Sequence, residues 1–155
     1  MPQIGRKAPD FSLPDAEMEI VSLSALLGKN VVLFFYPKDD TPGCTTEATE
    51  FSDHDSDFTA CNCVVIGINR DDCMKHAAFR DKHGLSVPLL SDVEGEVCQL
   101  YGVLQEREVD GVKRIGVART TFVIDKQGVI RQVFQSVTPR GHALEVLACV
   151  RGLGK

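Results

Sequence analysis

The sequence predicts an α/β fold, with a central mixed β-sheet flanked by helices on both faces. Three observations carry this. Apolar, β-rich runs alternate with helical segments along most of the chain. One of them, NVVLFFYP (residues 30–37), is apolar almost without interruption, which marks a strand buried on both faces. The last third holds two β-rich segments joined through Lys126-Gln127-Gly128, so a hairpin adds antiparallel strands to the sheet. At 155 residues, with no linker, low-complexity tract or internal repeat, residues 1–155 are expected to form a single domain.

The elements follow in order. FSLPDAEMEIVSL reads as a short hairpin or pair of extended pieces, and SALLGKN as a helical turn stopped at Gly28. The buried strand NVVLFFYP ends at Pro37. After the loop KDDTPG, the segment CTTEATEFSDHDSDF is helical at first, with Ala48, Phe51 and Phe58 able to share a face. The DHDSD stretch weakens its second half. CVVIGIN is a second buried strand. RDDCMKHAAFRDKHG is a helix capped by Asp71 or Asp72 and stopped by Gly84. SVPLLSD is a third short strand, VEGEVCQLYGV a third helix, and GVKRIGV leads to the hairpin TTFVID-KQG-VIRQVFQ. GHALEVLACVRGL is the closing helix. A thioredoxin-like arrangement fits this order.

Composition narrows the function. Seventeen Lys+Arg against 22 Asp+Glu give a net charge of −5, and no basic cluster is interleaved with aromatics, so nucleic acid is not an expected partner. No apolar run approaches the ~18–20 residues that span a bilayer. MPQIGRKAPDF lacks an apolar signal core, so a cytoplasmic protein without membrane association is expected. The six cysteines, Cys44, Cys61, Cys63, Cys73, Cys98 and Cys149, contain no Cys-x-x-Cys, and no paired His motif accompanies them; no metal site is expected. In a cytosolic chain they read as buried hydrophobes or reactive thiols.

Cys44 stands out. It follows a buried strand and a Pro-Gly turn and opens a helix, where the dipole and unpaired N–H groups favour a thiolate. Thr41 can turn its hydroxyl to the sulfur or to a substrate, and Pro42 can shield one side of the thiol. On position alone, a buried helix-start cysteine beside an ordinary turn explains the stretch equally well.

The full motif YPKDDTPGCTTE resembles the active-site signature of the peroxiredoxins, specifically their peroxiredoxin Q or bacterioferritin-comigratory-protein branch. APDFSLPD, VVLFFYP, VPLLSD, VCQLYGV and RTTFVIDKQGVI resemble further family segments in matching order over nearly the whole chain. The resemblance implies that Cys44 is a peroxidatic cysteine that becomes a sulfenic acid. It implies polarising donors from the Thr41 hydroxyl, the N–H groups of Gly43 and Cys44, and Arg119. Arg119 would also favour the thiolate. Without the resemblance, a charge just ahead of a strand is ordinarily solvated. Glu47, one turn beyond Cys44, either orients Arg119 or complements the helix N-terminus. Tyr36 and Phe35 read as loop packing.

The two family positions for a second, resolving cysteine are occupied by Thr49 and Arg80. Cys61 and Cys63 precede the second strand and would lie about 20 Å from Cys44, at the far end of the sheet. A disulfide needs Cα atoms within about 7 Å. Cys73 opens a helix at the near end and is the favoured resolver if one exists. His76 could assist it, though a solvated helix face is its ordinary explanation. Cys98 and Cys149 read as core.

The expected function is thus a thiol-dependent peroxidase acting on hydrogen peroxide and organic hydroperoxides. It would need no cofactor, because sulfur supplies the electrons. Thioredoxin or a similar dithiol would recycle it, or another thiol directly if no resolver acts, and it would be a monomer or weak homodimer. A peroxide-responsive redox sensor or chaperone-like binding protein using the same cysteine is the alternative; it would oxidise once, where a peroxidase turns over. A general disulfide oxidoreductase is disfavoured, since Cys44 is followed by Thr45, Thr46 and Glu47.

Overall fold

The computed structural model describes residues 1–154. Among the described residues, nine strands, five α-helices and a 3₁₀ turn follow in the order β1 (Ser12–Pro14), β2 (Ile20–Ser22), the 3₁₀ turn Leu23–Leu26, β3 (Asn30–Phe35), α1 (Pro42–Asp53), α2 (Asp55–Ala60), β4 (Cys63–Asn69), α3 (Cys73–His83), β5 (Leu89–Ser91), α4 (Glu96–Leu100), β6 (Leu104–Val109), β7 (Val112–Val117), β8 (Thr120–Ile124), β9 (Ile130–Phe134) and α5 (His142–Arg151).

Five strands build the central sheet, in the order β5-β4-β3-β8-β9. The first three are parallel; β8 runs antiparallel to β3, and β9 antiparallel to β8. The sheet is therefore mixed, and β3 lies at its centre with all six residues buried. Alternation along β3 divides the core into two layers. Val32 and Phe34, with Tyr36 just beyond the strand, face a layer completed by α1, α2, α3 and α5. Val31, Leu33 and Phe35 face a layer completed by α4 and the β1–β2 hairpin. Gly67 of β4 permits the close packing beneath α1: a Cβ there would stand 2.7 Å from the Phe34 ring. Phe34 in turn stacks on Phe51 of α1, with ring centroids 4.7 Å apart.

Local chemistry sets the element ends. Asp72 caps α3 by accepting from Lys75 N, and Gly84 ends that helix in the left-handed region at φ 63°. The single helix expected after Cys44 is two, broken at His54 inside the DHDSD stretch.

One element was missed. LQEREV pairs with VKRIGV as a separate antiparallel ribbon, β6–β7, outside the central sheet. Its charged, mostly exposed residues lack the apolar signal of a strand. Asp110-Gly111 at its tip, both at positive φ, is the hairpin cue that reveals it. Among the described residues no helix is long and apolar enough to cross a membrane.

Candidate active site

The site forms at the edge of the sheet where the parallel strands end. β3 delivers the chain into the loop residues 36–41, and α1 starts at Pro42, the helical position where a missing N–H costs nothing. The first α-helical bond runs from Thr45 N to Thr41 O at 2.8 Å, so the N–H groups of Gly43 and Cys44 lie ahead of the helical ladder. Cys44 sits in this first turn and is 1% exposed.

Arg119 reaches the thiol from the neighbouring strand. Phe35 of β3 pairs with Thr120 of β8, which brings the residue before β8 to the end of β3. Its Nη2 lies 3.5 Å from Cys44 Sγ, and its Nη1 donates to Glu47 Oε1 at 3.0 Å. Burial works against the guanidinium's charge, but Cys44 and Glu47 outweigh it and raise the Arg119 pKa. Gly43 makes room: a Cβ at that position would meet Arg119 Nη2 at 3.1 Å and Pro139 at 3.4 Å.

Glu47 stands behind the guanidinium. It is buried, and its Oε2 has no hydrogen-bond partner. Burial pushes its carboxyl up to about 7, against the pull of Arg119 toward the carboxylate. Of the two roles open to Glu47 from sequence, the geometry selects contact with Arg119. Its Oε1 is the atom turned to Arg119.

Thr41 is engaged within its own loop. Its hydroxyl donates to Lys38 O at 2.9 Å rather than pointing its hydrogen at the sulfur or a substrate, because the loop carbonyl lies within reach three residues back. What the hydroxyl retains is acceptor capacity. Pro42 is exposed at the start of α1.

The remaining cysteines separate by position, and all six are free thiols. Cys63 pairs with Asn30 at the start of β3, the end opposite the Cys44 loop. Burial pushes the Cys63 thiol up to about 12 and raises those of Cys98 and Cys149 as well. Cys73 is the first residue of α3, half-buried, on the same sheet edge as Cys44.

His76 is the clearest correction. It does not lie on a solvated face: its ring is fully buried, with Nδ1 2.6 Å from Asp39 Oδ2 and Nε2 donating to Leu90 O at 3.0 Å. Tyr36 belongs to the same cluster, its hydroxyl donating to Asp39 Oδ1 at 2.7 Å. Sequence reasoning missed Asp39 altogether. The usable signal was Tyr36 itself, since a tyrosine ending a fully buried strand needs a buried partner for its hydroxyl, and an acid follows three residues later.

Residues 4–133 match the AhpC/TSA family. A Coxiella burnetii protein carrying the bcp designation is 47% identical over 145 residues, covering 94% of this chain and 96% of that one. The peroxiredoxin Bcp of Bacillus subtilis is 39% identical over 153 residues, covering 99% and 98%. The solved structure of the Xanthomonas campestris bacterioferritin comigratory protein, described for its alkyl peroxide reduction activity, superposes with a TM-score of 0.89 at 32% identity, over 94% of this chain and 92% of that one.

Proposed function

The chain belongs to the AhpC/TSA family of peroxiredoxins, in its Bcp branch, and is a thiol-dependent peroxidase; from that premise we infer that Cys44 is the thiol that meets the hydroperoxide. The observation that carries this reading is the contact of 3.5 Å between Arg119 Nη2 and Cys44 Sγ. A fixed positive charge beside the sulfur remains in place as negative charge moves onto the peroxide.

The thiolate attacks the terminal oxygen of the hydroperoxide. A sulfur–oxygen bond forms, the O–O bond breaks, and its electron pair leaves with the other oxygen, which takes a proton and departs as water or alcohol. Cys44 is left as a sulfenic acid. Arg119 and the N–H groups of Gly43 and Cys44 stabilise the developing charge. Thr41, its own hydrogen given to Lys38, accepts the hydrogen of the hydroperoxide. Pro42 shields the thiol, and Glu47 holds Arg119 in place.

Hydrogen peroxide and organic hydroperoxides both fit this chemistry, the second in keeping with the activity described for the Xanthomonas relative. For recycling, Cys73 condenses with the sulfenic acid, forming a disulfide and releasing water, and a thioredoxin-like dithiol reduces that disulfide. An external thiol attacking the sulfenic acid directly is the route if Cys73 does not act. We take residues 1–155 as one domain that works in the cytoplasm as a monomer or weak homodimer.

Turnover tests the assignment of Cys44. With a dithiol reductant supplied, the protein is expected to consume many equivalents of hydroperoxide, and Cys44→Ser none. Equal consumption by Cys44→Ser would contradict it, and a single equivalent consumed would favour a sensor.

A further inference from the structure

The loop that presents Thr41 and Cys44 is fastened to α3 by a cluster of buried polar groups. Asp39 is its centre. Its Oδ1 accepts from the Tyr36 hydroxyl at 2.7 Å and from Asn69 Nδ2 at 3.1 Å, and its own N–H donates to Asp71 Oδ2 at 2.8 Å. Its Oδ2 faces His76 Nδ1 at 2.6 Å, with side-chain exposures of 4% and 0%.

The fourth contact has a chemical peculiarity. A carbonyl oxygen only accepts, so His76 Nε2 must carry a hydrogen toward Leu90 O. A neutral ring would then have a bare Nδ1 facing a carboxylate oxygen, two lone pairs 2.6 Å apart. A second hydrogen must therefore lie between Nδ1 and Oδ2, and the contact is a charge-assisted or carboxylic hydrogen bond. Breaking it would leave buried polar atoms unpaired, a cost above that of an ordinary bond.

Asp39 precedes Thr41 by two residues and Cys44 by five. Tyr36, bonded to the same carboxylate, packs in the core layer that contains Cys44. Burial first, then Asp39, Asp71 and Cys44 raise the pKa of its hydroxyl, so the cluster lies within electrostatic reach of the thiol. Nothing in the peroxide chemistry described above uses His76.

We propose that His76 is a positioning residue for that chemistry: its bond to Asp39 holds the loop of residues 36–41 so that Thr41 and the first turn of α1 stand where the hydroperoxide must bind. The inference rests on Cys44 being the reacting thiol. A loop relaxed by a fraction of an ångström misaligns Thr41 and the free N–H groups against the attacking sulfur, and misplacement on the scale of 1 Å costs up to about a hundredfold in rate.

Two substitutions divide the histidine's two bonds. His76→Asn keeps an amide N–H where Nδ1 stands, and His76→Gln keeps one where Nε2 stands. The rate constant for Cys44 oxidation by hydrogen peroxide is measured for both and for the unaltered protein, beside their melting temperatures. The glutamine variant is expected to lose about tenfold to a hundredfold, and the asparagine variant to recover most of that loss, although both melt lower. Equal rates in the two variants, or the faster rate in glutamine, would overturn the inference while leaving Cys44 as assigned. An unreactive Cys44 in the unaltered protein would overturn that assignment and this inference with it. If neither variant folds, the unaltered protein decides by nitrogen-resolved NMR. The hydrogen-bonded Nδ1 proton of His76 is expected to shift when Cys44 is oxidised, and an unmoved signal would overturn the coupling.

Discussion

At the scale of single residues, the site is an argument about one cation and its two neighbours. Arg119 touches Cys44 with one nitrogen and Glu47 with another, so the guanidinium is held from behind while it faces the sulfur. Arg119→Met keeps the side chain's bulk and removes the charge; oxidation of Cys44 by peroxide, followed by stopped flow, is expected to slow by about 10²–10³-fold. Glu47 makes a separate prediction about stability. Its carboxyl is raised from 4.5 to about 7 because burial disfavours its charge. A raised folded-state pKa contributes stability that is fully present below 4.5 and is lost as pH rises through about 7, here on the order of 3 kcal/mol. Denaturant unfolding from pH 4 to 8 should show that loss, and Glu47→Gln should flatten it. A variant with an unchanged pH dependence would contradict the assignment. Cys44 stood out by its position at a helix start, whereas Arg119 was singled out only through the family resemblance. Asp39 and the burial of His76 were not legible in the sequence, because an isolated histidine on a polar-looking helix gives no sign of the strand-end tyrosine and loop acid that enclose it.

At the scale of elements, α1 combines two tasks that oppose each other. It buries Cys44 and anchors itself through Phe51, which packs on Phe34, Phe58 and His142. Phe51→Ala is expected to cost about 3–5 kcal/mol in denaturant unfolding. Yet a Cys44–Cys73 disulfide requires the first turns of α1 or α3 to rearrange, since Cys44 is enclosed in the folded state. The break between α1 and α2 at His54 supplies a weak point. Hydrogen exchange across residues 43–58 is expected to rise after peroxide treatment. Unchanged exchange alongside a proven Cys44–Cys73 disulfide would contradict the unwinding. The sequence located this weak point in DHDSD, because clustered acids and a histidine are poor helix interior, but it did not reveal that two distinct helices result.

For the whole molecule, the fold gathers Thr41, Cys44, Glu47, Cys73 and Arg119 at the end of the sheet where the parallel strands finish, and sets Cys63 at the opposite end. The alternating apolar runs made the central sheet readable, since NVVLFFYP and CVVIGIN have no other place to go than a covered interior. The β6–β7 ribbon escaped that reading because its strands satisfy each other's backbone without needing a buried face. The same fact predicts its dynamics: amides of residues 106–115 are expected to exchange through local opening, whereas those of β3 exchange only on global unfolding. Peptide mass spectrometry after one equivalent of hydrogen peroxide, with a sulfenic-acid trap present, tests the assignment of Cys44. Rapid oxidation at Cys44 is expected, either as a trapped adduct or as a loss of two hydrogens shared with Cys73. Oxidation that spares Cys44 and falls on the other cysteines would contradict the assignment.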